Sequence, residues 1–420
     1  MAYAGHSRIW FLSELYYPED SATGYYVTRI AEALAAAHDV GVLCAQPTYR
    51  ARGTKAPVEE RRNNVYVHRC AATTLNKDVL TFRLINLLTI SASIFFNALW
   101  RIREGDIALV VTNPPTLPFV ALLACKLRRA KLILRVEDVY PEAMVAAGIV
   151  GSGSIVVRIL NALHRLLYRN VDRVIVLGRD MMRLVQEKLG PGIGQISIIT
   201  NWADNEDITP LDRSSNPLLK RLGLADKFVV QYSGNMGRTH DLEGLLECAR
   251  LLQAESGIHF LFIGNGAKEA WLKKTTEQLQ LRNVTILPPQ SREGLTDSLN
   301  ACDIAVISFM NGMAGVSVPS RMYNILAAGK PILAVADDDS ELARVVEDHR
   351  VGWVVPPGSA DLIAIAVKEA AAGRLLLSEM SGRARTLVLD KYSQQQIVQK
   401  FEELLEGMRG SGARASKGGS

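Results

Sequence analysis

Short apolar runs alternate with helical patterns along nearly the whole chain. Strands are expected at 9–12, 40–44, 65–69, 107–112, 132–136, 174–177 and 196–199 in the first half. In the second half they are expected at 228–232, 259–263, 284–287, 304–307, 332–335 and 353–355. Most of these runs are continuous Val, Ile and Leu without strict alternation. That pattern suits strands covered on both faces, and hence parallel sheets. They are too many for one open sheet, so the expected fold class is α/β, with two doubly wound domains.

The stretch 203–217 is polar, holds two prolines and lacks periodicity, so it reads as a linker. The expected domains are 1–205 and 206–390. A terminal helix at 391–409 is expected to pack back across the lobes. The small polar segment 410–420 is expected to be a disordered tail.

One helical pattern departs from the rest. From Leu84 to Trp100 there is no charged residue. Asn86, Thr89, Ser93, Asn97 and Arg101 recur at steps of three and four, a thin polar stripe in an apolar cylinder. A helix on a doubly wound sheet needs only one apolar face. The excess suits a second buried contact, a membrane-facing surface or a short span bracketed by Arg83 and Arg101. Lys126, Arg128, Arg129 and Lys131 form a basic cluster suited to anionic headgroups. The reading carried forward is a membrane surface contacted through 84–100 and 126–131.

Composition changes this picture little. The 420 residues are 48% hydrophobic and 22% charged, ample for packed cores, with net charge +5. Mild basicity suits anionic ligands or lipid, and no nucleic-acid partner is expected. Five scattered cysteines without a C-x-x-C read as buried, reduced thiols. The N-terminus lacks the pattern of a signal peptide, so a cytoplasmic location is expected.

Ligands in doubly wound sheets bind beyond the carboxyl ends of strands. Gly24 follows the first strand and is expected at a helix entrance, where backbone can approach a ligand closely. The run E137-D-V-Y-P-E142 puts three carboxylates near a strand end. Asp138 is the candidate to orient a sugar hydroxyl or act as a base, whereas Glu142 reads as loop charge. The turn S233-G-N-M-G-R238 is a second anion-cradling candidate, with Gly234, Asn235 and the cation Arg238. G264-N-G-A-K268 repeats the arrangement more weakly, with Lys268. In V318-P-S-R-M-Y-N324, Ser320 reads as an N-cap and Arg321 as a planar cation suited to a phosphate or diphosphate. No metal-ligand spacing occurs, and no G-x-G-x-x-G supports a dinucleotide dehydrogenase.

The ordered set is more specific than any member. It runs G-Y-Y-V-T-R-I-A-E-A-L, V-T-N-P-P-T-L-P, E-D-V-Y-P-E, Y-S-G-N-M-G-R, F-I-G-N-G, V-P-S-R-M-Y-N-I-L-A-A-G-K-P and V-G-W-V-V-P-P-G. It resembles the family 4 glycosyltransferases of the GT-B fold, closest to the subgroup assembling bacterial surface polysaccharides. The resemblance implies two Rossmann-like domains facing a cleft. It also implies retaining, metal-independent transfer from a nucleotide-sugar, usually a UDP-sugar, to a polyprenyl-diphosphate-linked saccharide at the inner face of the cytoplasmic membrane. No cofactor is implied, since the nucleotide-sugar is a substrate.

On that resemblance Arg238, Ser320 and Arg321 would face the donor diphosphate, with Gly234, Asn235, Lys268, Met322 and Asn324 around it. Gly24 would lie opposite, and Asp138 toward the acceptor or transferred sugar. Backbone around 287–290 would meet the base. The chain departs from the family's E-x7-E, holding Val316 and Asn324 there. Asn235 and His240 stand where Arg and Lys are common. Glu341 is the candidate replacement acid, or a carboxylate at a helix start. A UDP-sugar epimerase of the same fold and a non-catalytic scaffold are the competing readings.

Overall fold

The computed structural model describes residues 7–19, 21–47, 54–75, 79–190 and 195–415. The chain divides into two compact units. The first comprises Met1–Glu142, Gly151–Ile199 and Val398–Ser420; the second comprises Ala143–Val150 and Thr200–Ile397. The main passage between them, at 199–200, falls a few residues before the boundary expected at 205–206.

The first unit holds β1 (Ile9–Leu12), α1 (Ala22–Leu34), β2 (Val40–Ala45), β3 (Glu59–Arg62), β4 (Val65–Cys70) and α2 (Leu80–Arg101). There follow β5 (Ile107–Val111), α3 (Leu117–Arg128), β6 (Lys131–Arg135), α4 (Glu142–Ala146, which passes into the second unit at Ala143), α5 (Ile155–Asn170), β7 (Arg173–Val176), α6 (Arg179–Leu189) and β8 (Gln195–Ile198). Its eight strands lie in the order β3-β4-β2-β1-β5-β6-β7-β8. All pair in parallel except β3 with β4. The strand runs read from the sequence are all present. β3 is the addition: its E-E-R-R alternates exposed and half-buried at the sheet edge, so no apolar signal marks it.

The second unit begins with α7 (Pro217–Leu222), β9 (Phe228–Asn235), α8 (Leu242–Leu251), β10 (Ile258–Asn265), α9 (Glu269–Gln278), β11 (Val284–Leu287) and α10 (Leu295–Leu299). It continues with β12 (Ile304–Ser308), α11 (Arg321–Ala327), β13 (Ile332–Val335), α12 (Glu341–His349), β14 (Gly352–Val355), α13 (Ala360–Ala372) and α14 (Arg374–Lys391). The all-parallel sheet has the order β11-β10-β9-β12-β13-β14. Apolar cores lie on both of its faces, which is why its strands are continuous rather than alternating.

Two expectations change here. The segment 203–217 is not a loose linker. The side chains of Ala203, Ile208 and Asn216 are buried, Leu211 N–H donates to Asn300 Oδ1 at 2.9 Å, and Arg385 donates to the Ile208 and Asn205 carbonyls. Its buried positions are fixed by hydrogen bonds, while Glu206, Asp207, Asp212, Ser214 and Ser215 are exposed. The terminal helix, α15 (Gln394–Ala415), also runs into the expected tail, while 416–420 lie outside the described residues. From Val398 it belongs to the first unit, where His38 Nε2 and Glu402 Oε2 lie 2.5 Å apart.

In α2 the polar stripe faces inward. Asn86 is buried and ties the helix to the preceding loop, accepting from Thr73 Oγ1 at 2.8 Å and Leu75 N–H at 3.0 Å and donating to the Leu75 carbonyl at 2.8 Å. Ser91 Oγ meets Thr116 Oγ1 at 2.7 Å. Phe82, Leu84, Leu88, Phe96 and Trp100 are exposed. Thr81–Arg101 is long and apolar enough to cross a membrane by length and composition, and only 28% of that window is buried. All five cysteines are buried and unpaired.

Candidate functional site

The parallel sheet of the second unit brings the turns after β9, β10 and β12 to one edge. Strand register sets Gly234 beside Gly264 and Asn235 beside Asn265. A Cβ on Gly264 would fall 1.9 Å from the Gly234 carbonyl oxygen. The F-I-G-N-G motif is therefore required by close backbone packing. Lys268 at its end is committed too, donating to the His240 carbonyl at 2.7 Å and pairing with Glu243 at 2.6 Å.

Arg321 is the centre of this edge. Its guanidinium carbon lies 4.6 Å from the Tyr232 ring centroid, a cation–π contact. Nη1 makes a long contact of 3.4 Å with the Ser233 carbonyl. Nη2 is buried and has no hydrogen-bond partner among the described residues. Burying an unsatisfied donor on a charged group is costly, so the arrangement is one that an anion would complete. Gly234 makes room for it: φ is +144°, and a Cβ there would sit 2.7 Å from Nη1. Arg238, on the same turn, is exposed and forms no ion pair among the described residues. Asn235 is exposed, with its carbonyl held by the Tyr232 hydroxyl at 2.6 Å.

His240 completes the wall. Its ring stacks on Phe309 at 5.3 Å and meets Tyr232 edge-on at 6.2 Å. Burial first, and then the Arg321 charge, depress its pKa to about 3, so the imidazole is neutral at ordinary pH. The positive charge here therefore resides on arginine. Tyr232 and Phe309 had no sequence signal as site residues, since Tyr232 reads as the end of a buried strand and Phe309 as an apolar residue just past one.

Several expectations are corrected. Ser320 has helical backbone angles, and its side chain makes no capping hydrogen bond. α11 has only seven residues, so its contribution comes through the Arg321 side chain rather than a capped helix start. Met322 is fully buried in the apolar core beneath, where it supports α11. Asn324 Oδ1 accepts the Asp204 N–H at 2.9 Å, holding the segment that wraps the unit. Glu341 is not among these: it is buried at the first position of α12, behind the Ser340 cap, the helix-start place that is one of its two expected readings. At the start of α8 the Asp241 carboxylate accepts the Gly244 and Gly358 amides at 2.8 and 2.7 Å, so the helix supplies its own anion. Asp337, in the acidic run before Glu341, accepts the amides of Gly312, Met313 and Ala314 and fixes the loop leading to α11. Gln290, beyond β11, closes a local turn through the Pro288 carbonyl at 2.8 Å.

In the first unit, Thr112 Oγ1 accepts the amides of Glu137 and Asp138 at 3.0 and 3.2 Å and pins the acidic loop. Glu137 pairs with the fully buried Arg135, and burial raises its pKa. Glu142 pairs with Lys188 at 2.6 Å. Asp138 is half-buried, and its charge adds to the burial that raises the Tyr140 pKa. Gly24 does not precede its helix. It lies in the first turn of α1 and donates to the Ser21 cap at 3.2 Å. A small recess, with about 10 Å³ of room for a water-sized sphere, is lined by Glu14, Gln46, Thr73, Thr74 and Asn86. Among the described residues no group of three or more His, Cys, Asp and Glu could hold a metal ion.

Two Rossmann-like units, the second holding at the start of α11 an arginine with an unmatched donor, have the architecture of the GT-B fold. The chain belongs to glycosyltransferase family 4: residues 21–202 match the glycosyl transferase 4-like domain and 218–387 match glycosyl transferases group 1. It is 33% identical over 301 residues to WbjE of Pseudomonas aeruginosa, named a probable glycosyltransferase, covering 72% of this chain and 74% of that one. It is 29% identical over 408 residues to WcaI of Escherichia coli (strain K12), covering 93% and 98%. WcaI carries the provisional name of a colanic acid biosynthesis glycosyl transferase. The fold matches Anabaena Alr3699/HepE, solved with UDP and glucose, at TM-score 0.72 and 15% identity, over 96% and 100% of the two chains.

Proposed function

We propose that this glycosyltransferase moves a sugar, with retention and without a metal, from a UDP-sugar to a polyprenyl-diphosphate-linked saccharide in surface polysaccharide assembly. It would work as a peripheral protein on the inner face of the cytoplasmic membrane. The observation that carries the donor assignment is the half-buried Arg321 guanidinium, whose buried Nη2 is unpartnered among the described residues, beside the Cβ-less Gly234. As the bond from sugar C1 to phosphate oxygen breaks, charge grows on the leaving diphosphate. Preorganised cations there stabilise the transition state more than the ground state. Arg321 takes that role, with the exposed Arg238 as a second cation. Asp138, fixed by Thr112, is the proposed acceptor-side base.

UDP as the nucleotide is supported by the HepE complex, and the polysaccharide role by the name of WcaI. A lipid-linked acceptor and membrane location fit the outward apolar side of α2. Metal independence and retention follow the family resemblance, and site cations on side chains suit the first. Purified protein incubated with UDP-sugars and a polyprenyl-linked acceptor, with products read by mass spectrometry, tests the reading. Transfer is expected, with slow donor hydrolysis when the acceptor is omitted. Epimerised donor without transfer, or no reaction and no UDP binding, would overturn it.

A further inference from the structure

We infer that α5 joins α2 and α3 in one carboxylate-free apolar face that docks on an anionic lipid surface. The inference rests on the peripheral-membrane reading above and extends it to a helix outside 84–100 and 126–131. The three helices are neighbours. Ser91 of α2 meets Thr116 at the start of α3, and Phe119 of α3 lies 5.2 Å edge-on from His164 of α5.

α5 repeats the inversion seen in α2. Val157, His164, Leu167 and Tyr168 are buried, while Ile155, Ile159, Leu163 and Leu166 point outward, with Ile155 73% exposed. On α2 Trp100 is 85% exposed, and on α3 Leu123 and Leu127 are exposed. A lone exposed leucine means nothing, but a run of them across three adjacent helices marks a docking surface.

Charge selects the occupant. No aspartate or glutamate occurs in α2, α3 or α5. Arg83, Lys126, Arg158, Arg165 and Arg169 are exposed on them. Arg101 pairs with Glu59 of β3, and Arg128 donates to the Ile102 carbonyl. Apolar residues fringed by cations of one sign complement anionic headgroups over acyl chains. At 16 residues α5 is too short to span, so it lies in the plane of the interface.

Vesicle flotation of the full chain tests this. Vesicles of phosphatidylcholine alone are compared with phosphatidylcholine mixed with phosphatidylglycerol. The wild type is expected to bind the mixed vesicles preferentially. The double variant Ile159→Glu, Leu166→Glu should bind them at least tenfold more weakly, with its UDP-induced thermal shift unchanged. Arg158→Ala and Arg165→Ala should each cost about fivefold on mixed vesicles only, the equivalent of about 1 kcal/mol.

Vesicle binding by the double variant equal to wild type would remove α5 and leave the α2 reading standing. Wild type that binds no vesicle would overturn the membrane reading together with this one. Wild type that binds no vesicle but self-associates, with association lost in the double variant, would make the face an interface between copies instead.

Discussion

A Cβ on Gly234 would fall 2.7 Å from Nη1 of Arg321. The glycine thus creates the space that the guanidinium occupies over Tyr232. Arg321→Ala removes this half-buried cation without touching the core. Transfer, read as kcat/KM, should fall by about 2–4 kcal/mol, roughly thirtyfold to nine-hundredfold. Melting in the absence of ligand should change little. Turnover equal to wild type would take Arg321 out of the site.

Gly234→Ala tests the same pair from the other side. Its φ of +144° is strained for any residue with a Cβ, and the added methyl also displaces Arg321. A loss of about 1–3 kcal/mol in denaturant unfolding is expected, together with weaker UDP binding. Combining it with Arg321→Ala should relieve the steric part. The double variant is then less destabilised than the sum of the singles, a positive coupling that separates clash from backbone strain.

His164 predicts an acid limb of stability. It is buried among Phe119, Tyr140 and Tyr168, and burial, reinforced by the Lys188 charge, lowers its pKa to about 4 from 6.5. The unfolded chain therefore binds a proton between those values that the folded chain does not. The contribution is complete above about pH 6.5 and is lost as pH falls toward 4, about 3 kcal/mol over the window. His240 acts in the same direction, with its folded pKa about 3. Calorimetry on His164→Phe should show a shallower decline from pH 6.5 to 4. An unchanged slope would mean that the histidine is not buried neutral.

Met322→Ala distinguishes support from ligand contact. The side chain lies in the core with Ile325 and Leu326, so truncation should cost about 2–5 kcal/mol of stability. At temperatures where the variant is folded, KM for the donor should stay near wild type. A large KM change with unchanged stability would return Met322 to the binding surface.

Much of the fold was legible because its strands are two-sided. A strand covered on both faces must be apolar throughout, so runs such as 304–307 and 332–335 announced themselves. β3 did not, since an edge strand of E-E-R-R needs only backbone pairing with β4. The candidate site was legible in part. Gly234 and Arg321 meet at the carboxyl end of β9, and Arg238 is exposed on the same turn as Gly234. Met322 follows Arg321 by one residue yet points into the core, because successive helical side chains do not share a face. Asn324 reads as a hydroxyl-binding amide, but it is engaged by Asp204, which lies far away in sequence.

The sequence alone determined the α/β class, the two Rossmann-like units and the family, because strand runs and glycine-bearing turns are local signals. It also marked α2 as abnormally apolar. Only the tertiary structure decided which way that helix turns. Asn86 and Ser91 face inward because Thr73, Leu75 and Thr116 supply their hydrogen bonds, and that leaves Phe96 and Trp100 outside. The same holds at the site. Lys268, a plausible phosphate ligand by position, is held by Glu243 and the His240 carbonyl, while Arg321 keeps a donor unmatched. Which cation is spent and which is left depends on what surrounds it in space, and local spacing carries no record of that.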